Sequence, residues 1–207
     1  KNAYPATLAR CAGKYIYSGA CDDFIINKDF FKRAITILEK DPRPAGYYGI
    51  TGIYVAETEK LSGAMGTAEV EGYNTPLQCC VGLLKYRSVV TSPSLVLRRE
   101  LFMKHGGADM AELMGTLKSL VDHCLNHELA WRYGIFYEKV PFACQRVFEA
   151  KTNYSSQLTV FELAARLSEM ERRLREADIT YPEIEKDWER WRAINLVDFV
   201  RKNGIQV

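Results

Sequence analysis

Thr159-Val160-Phe161-Glu162 has the form of a capping box, in which a threonine and a glutamate three residues later satisfy each other's backbone N–H at a helix start. From there Val160, Leu163, Leu167, Met170, Leu174 and Ala177 recur at three- and four-residue steps, with Glu169, Arg172, Arg173 and Glu176 on the other side. A helix with one dry face and one wet face must bury the dry one against a neighbour. Tyr181-Pro182 stops it. A further helix runs from Glu183, puts Ile184, Trp188, Trp191, Ile194 and Val197 on one face, and ends at Gly204 in the manner of a C-cap.

Pro76 follows Asn74-Thr75 and Pro93 follows Thr91-Ser92, positions where a first helical turn tolerates proline, so both mark expected helix starts. The stretch 72–109 then reads as helix, turn, helix, closed by Gly106-Gly107. Similar patterns predict helices over 6–17, 29–40, 47–61, 110–125, 128–139 and 142–150, while alternating strand patterns are nearly absent. The expected fold is all-α: stacked antiparallel helix pairs forming an α-α superhelix, in one helical-repeat domain over residues 1–207. One hairpin cannot bury its own apolar face, so neighbours in such a stack share a continuous core. Several helices end alike, and the interval from Gly106 to Asp178 is close to two units of about 35 residues.

With 47% hydrophobic and 26% charged residues the chain has the composition of a folded protein. Its net charge of +2 excludes a strongly basic nucleic-acid arm. The apolar runs fall well short of the roughly 18 residues of a membrane span, so no membrane insertion is expected. Cys11, Cys21, Cys79, Cys80, Cys124 and Cys144 are even in number, but four lie on predicted apolar faces, which favours reduced thiols in a reducing compartment over disulfides. The first residue is Lys1 rather than a methionine, which suggests removal of a targeting peptide or trimming of the chain.

Candidate chemistry is sparse. His123 and His127 lie four apart with Cys124 between them and Glu128 beside them, so two imidazoles could share a face toward a metal. The set lacks the glutamate of a His-Glu-x-x-His motif, and no metal or other cofactor is assigned. The glycine-rich stretch 46–52 has neither a Lys-Ser/Thr ending nor a preceding strand, and reads as a loose helix or turn rather than a phosphate loop. Cys79-Cys80 has no Cys-x-x-Cys partner and reads as packing. Asn153-Tyr154-Ser155 matches a glycosylation acceptor that matters only in a secreted chain. No nucleophile, base and oxyanion site occur together, so an enzyme is not expected.

"YNTPLQCC" followed by "LRRELFMKHGGAD" resembles a pentatricopeptide repeat, with Phe102, Met103, His105 and Gly106 approximating the end of its second helix at a contracted spacing. "TLARCAGKY" with "DFFKRAITILE" is similar to the same repeat and to the helical hairpin of cytochrome c oxidase subunit Va. By size and repeat type the chain resembles the small repeat-containing subunits attached to the catalytic head of protist mitochondrial ATP synthase. The resemblance implies a non-catalytic accessory subunit on the matrix side of the mitochondrion, binding protein subunits of a larger assembly. Accessory subunits of cytochrome c oxidase or the mitoribosome are alternatives. Tyr133, Phe136, Tyr137, Trp188 and Trp191 are the candidate partner-binding anchors. The other alternative is an organellar single-stranded RNA binder, for which the resemblance makes Thr75 and Asp109 the base-reading pair. Phosphate binding needs clustered Lys and Arg, and the balanced charge favours the protein adaptor.

Overall fold

The computed structural model describes residues 7–8, 10–68, 70–107, 109–117, 120–148 and 159–202. Strands β1 (Tyr15–Tyr17) and β2 (Phe24–Ile25) precede helix α1 (Phe30–Lys40), the long strand β3 (Gly46–Val55), β4 (Lys60–Met65), β5 (Gly72–Asn74) and α2 (Pro76–Tyr86). A 3₁₀ turn (Ser92–Ser94) opens β6 (Leu95–Arg98), followed by the single turn α3 (Arg99–Phe102), a wide turn (Met103–Gly107), α4 (Met110–Thr116) and α5 (Val121–Tyr133). Strand β7 (Ile135–Val147) and the helices α6 (Val160–Arg175) and α7 (Ile184–Lys202) complete the chain. The protein is therefore α/β, and the expected all-α superhelix of stacked helix pairs is overturned.

A seven-stranded mixed sheet with path β1-β6-β3-β7-β2 is the centre of the fold. Strands β3 and β7 run parallel in register from Tyr47–Phe136 to Val55–Val147. Every other strand is short and antiparallel to its neighbour: β6 and β4 take successive halves of the free edge of β3, and β5 and β2 do the same on β7. A strand covered on both faces loses its alternation, so Gly46–Val55 carries a nearly continuous aromatic and β-branched run. That is why residues 47–61 read as a helix and 46–52 as a loose turn, where the chain instead makes β3 and its hairpin to β4. The expected helix over 128–139 holds only to Tyr133, where α5 ends, and 142–150 is strand as far as Val147, for a second reason. The β3–β7 register slips between Gly49 and Thr51, and Pro141 sits in that irregularity, where a proline can interrupt a central strand.

Gly49 is required by the same feature. A Cβ there would lie 2.4 Å from the ring of Phe142, which instead packs directly on the β3 backbone. Phe142, Phe30, Ala34, Leu38, Tyr47 and Val96 form the core under α1. The larger core lies between the sheet and α2 through α7, and includes Leu83, Leu125, Trp131, Leu167, Leu174, Trp188 and Trp191.

Other local signals are realised. Glu162 N–H donates to Thr159 Oγ1 at 3.2 Å and Thr159 N–H donates to Glu162 Oε2 at 2.9 Å, the capping box of α6. Pro76 opens α2, but Pro93 opens a 3₁₀ turn and then β6, so the supposed hairpin 72–109 is strand, helix, strand and turn. The expected helix over 6–17 gives way to β1 at its end. Gly204 and Asn153 lie outside the described residues, as does the end of the 142–150 stretch. No helix among the described residues is long and apolar enough to cross a membrane.

Trp188 is fully buried, with its ring 5.4 Å from Trp131, 5.5 Å from Trp191 and 5.2 Å from the Arg175 guanidinium. Truncating a buried aromatic leaves a cavity that the neighbours only partly refill. Trp188→Ala should therefore destabilise the protein by about 3–5 kcal/mol in chemical denaturation. A loss under about 1 kcal/mol would contradict the packing of α7 against α5.

Candidate active site

A cavity of about 780 Å³ lies between the β1–β2 connection, β6, α4 and the first turns of α5. Two aspartates far apart in the sequence, Asp23 and Asp122, border it. Asp23 is placed by strand pairing: β2 follows it directly and pairs with β7, and the Arg146 N–H donates to Asp23 Oδ1 at 3.3 Å. Asp122 sits in the first turn of α5, where the helix dipole favours a negative charge. Gly134 alone separates α5 from β7, so the chain folds back and returns the start of the helix toward the far end of the strand.

The surroundings of Asp122 are fixed. Ser92 Oγ donates to Asp122 Oδ2 at 3.0 Å, and Asn126 Nδ2 donates to Ser92 Oγ at 3.0 Å. The turn that carries Ser92 is in turn bound to β3: Ser94 Oγ donates to the Gly49 carbonyl at 2.6 Å, and Thr51 Oγ1 donates to Ser94 Oγ at 2.7 Å. Thr51 and Ser94 are fully buried, so these bonds are shielded from competing water. Burial, opposed by the Arg146 N–H and reinforced by the nearby charges of Asp22 and Asp122, holds the Asp23 carboxyl above its ordinary range.

The residues singled out from the sequence lie elsewhere. His123 and His127 do come together, with ring centroids 4.6 Å apart, but the Val90 N–H donates to His127 Nε2 at 3.4 Å, and burial lowers both pKa values, that of His127 well below the ordinary value. Among the described residues no group of three or more His, Cys, Asp and Glu side chains is arranged to hold a metal ion. Glu128 is a buried charge hub instead, accepting from Arg173 Nη2 at 2.7 Å and Arg132 Nε at 3.2 Å. Burial pushes the Cys79, Cys80 and Cys124 thiols up to about 12, which keeps them protonated and unreactive.

Of the proposed anchors, Tyr137, Trp188 and Trp191 are buried. Tyr133 and Phe136 are half-buried: Tyr133 bonds His105 through its hydroxyl, and Phe136 stacks on Tyr47. Thr75 caps α2, its Oγ1 accepting from the Gln78 N–H at 3.3 Å, and Asp109 precedes α4. They belong to different elements rather than to the two helices of one repeat. Gly106 has φ of 143°, open only to glycine, and sends the chain from the wide turn toward α4.

No protein-family model matches the chain, and no curated protein does. A solved structure does. The S. aureus protein TarS, residues 1–349 in complex with UDP-GlcNAc, is similar with a TM-score of 0.62 over 97% of this chain, at 15% sequence identity. The chain spans about half, 53%, of the length of that solved chain. The likeness is one of fold, and it overturns the resemblance to pentatricopeptide repeats. The helical-repeat scaffold, with its ATP synthase attachment and non-catalytic role, falls with the fold it depended on.

Asp23, Asp122, Ser92 and Asn126 were not found from the sequence. The available signal was the Asp22-Asp23 pair set between the short apolar runs of β1 and β2. The raised pKa of Asp23 fixes a sign. A carboxyl whose folded-state pKa lies above its unfolded value disfavours the fold once ionised, so its contribution is full below the unfolded pKa of about 3.9 and is lost as pH rises through the folded value. Asp23→Asn should therefore raise the melting temperature at pH 7, and the gain should vanish near pH 4. A variant less stable at pH 7 than at pH 4, relative to the unmodified chain, would contradict this environment for Asp23.

Proposed function

We propose that this chain is part of a nucleotide-sugar-dependent glycosyltransferase, with Asp122 as the general base. The observation that carries the reading is the convergence of Asp23 and Asp122 on one large cavity, in a fold similar to a glycosyltransferase solved with UDP-GlcNAc. The earlier expectation that the chain is not an enzyme is accordingly set aside.

Transfer of a glycosyl group to a hydroxyl forms a bond between the acceptor oxygen and the anomeric carbon and breaks the bond from that carbon to the diphosphate. The diphosphate leaves with the electron pair, and the acceptor proton needs a base within hydrogen-bond reach. Asp122 suits that role because Ser92 and Asn126 fix its orientation while it borders the cavity. Asp23 borders the same cavity from the β1–β2 connection, where its carboxylate would suit a hard divalent cation that takes its other ligands from phosphate oxygens and water. Such a cation would supply charge neutralisation at the leaving diphosphate. Without a counter-charge, ionised Asp23 is already disfavoured by its surroundings.

The test is titration of the full chain with a panel of UDP-sugars by calorimetry, followed by release of UDP in the presence of hydroxyl acceptors. Asp122→Asn should leave UDP-sugar affinity nearly unchanged and lower turnover by about 10²–10⁴, the usual contribution of a positioned base. Absence of UDP-sugar binding up to about 1 mM, or full turnover by Asp122→Asn, would sink the reading.

A further inference from the structure

Helix α5 presents two kinds of side chain to the cavity. Asp122 and Asn126 lie four residues apart on α5 and form its polar stripe, tied to Ser92. Val121 and Leu125, one residue earlier in each turn, form an adjacent apolar stripe that lines the same cavity. Met110 and Met114, again four apart, line it from α4, and Leu97 lines it from β6. The wall beyond the Asp122 stripe is thus hydrocarbon and thioether supplied by three elements.

Such a wall discriminates between kinds of occupant. A free glycan or a nucleotide placed against it would turn hydroxyl or phosphate groups toward hydrocarbon, leaving them without the hydrogen bonds they make in water. An alkyl or prenyl body would lose nothing there and would gain by leaving water. Methionine adds tolerance, because its flexible, polarisable side chain adapts to chains of differing shape. A cavity of about 780 Å³ is within the size range of small-molecule sites.

We infer that the acceptor taken by this cavity is an amphiphilic alcohol, its hydroxyl against Asp122 and its hydrocarbon body against Met110, Met114, Val121 and Leu125. The inference rests on the transferase reading for the word acceptor, but the binding of an apolar-bodied alcohol can be measured without any transfer.

The probes are n-octyl β-D-glucoside below its micelle concentration and methyl β-D-glucoside, which share a sugar head and differ in the alkyl chain. The chain is labelled at its methionine methyl groups, whose five resonances include those of Met110 and Met114. Octyl glucoside should shift the Met110 and Met114 signals saturably, and methyl glucoside should leave them in place at the same concentration. Met114→Gln, a change at a half-buried position, should weaken octyl glucoside binding about tenfold or more without altering the melting temperature by more than a few degrees. Equal response to both glucosides, or octyl glucoside binding that leaves these two methyl groups and the Met114→Gln affinity unchanged, would overturn the inference. UDP-sugar binding is scored separately. If UDP-sugars bind and octyl glucoside does not, the acceptor class is wrong and the transferase reading survives. If octyl glucoside binds and UDP-sugars do not, the cavity keeps its apolar preference and the transferase reading falls.

Discussion

The parallel pairing of β3 with β7 is the contact on which the rest of the molecule depends. Parallel neighbours cannot be joined by a tight turn, and here nearly eighty residues of sheet edge, helix and turn separate the two strands. Everything between them is brought back to one place when they pair. Phe142 seats on Gly49 at the point where the register slips, so the joint is shaped by one side chain on one missing side chain. Each outer edge then serves two short strands, and through them the connection carrying Asp23 and the turn carrying Ser92 are fixed to the same pair.

The candidate site follows from that arrangement. Strand β7 holds Asp23 near its end through β2 and the Arg146 N–H, and it begins one residue after the helix that starts with Asp122. The two carboxylates are therefore set by one continuous segment of chain rather than by independent loops. Behind them, Glu128 on the same helix gathers Arg132 and Arg173, and Arg173 also donates to the His105 carbonyl, so α6 is tied to both α5 and the wide turn before α4. Removing Glu128 would take from Arg173 the carboxylate that holds it to α5, so the attachment of α6 leans on that one buried group. Asp23 carries the opposite tendency, a carboxylate held where its charge is disfavoured, as expected of a group kept for chemistry rather than stability.

The sequence made the helices legible where one face is wet. The box at Thr159 and Glu162, the stripe from Leu163 to Leu174, and the proline at the start of α2 each act within a few residues, and all three appear in the structure. What could not be read was the sheet. Strand β3 is buried on both faces over most of its length, so no alternation marks it and its aromatic and glycine spacing imitates a helical period, while β7 is interrupted by Pro141 where its pairing with β3 slips. The remaining strands have two to six residues, too few to carry a pattern. The fold class was lost with the sheet, and a repeat was inferred from helix endings that share only basic residues and turn formers. The site was lost for a related reason: Asp23 and Asp122 are brought to one cavity by the long-range pairing of β2 with β7 and by the turn from α5 into β7, whereas His123 and His127, close in sequence, offered only an incomplete ligand set to which no metal was assigned.

Amide hydrogen exchange resolved by residue tests the central role of the β3–β7 joint most directly, because exchange of the most protected amides requires opening of the whole structure. The slowest amides should lie in Tyr47–Val55 and Phe136–Val147, with those of α7 exchanging sooner. If the amides of α6 and α7 outlast those of β3 and β7, the helices and not the parallel strand pair hold the molecule together, and the account of how Asp23 and Asp122 are brought to one cavity would be contradicted.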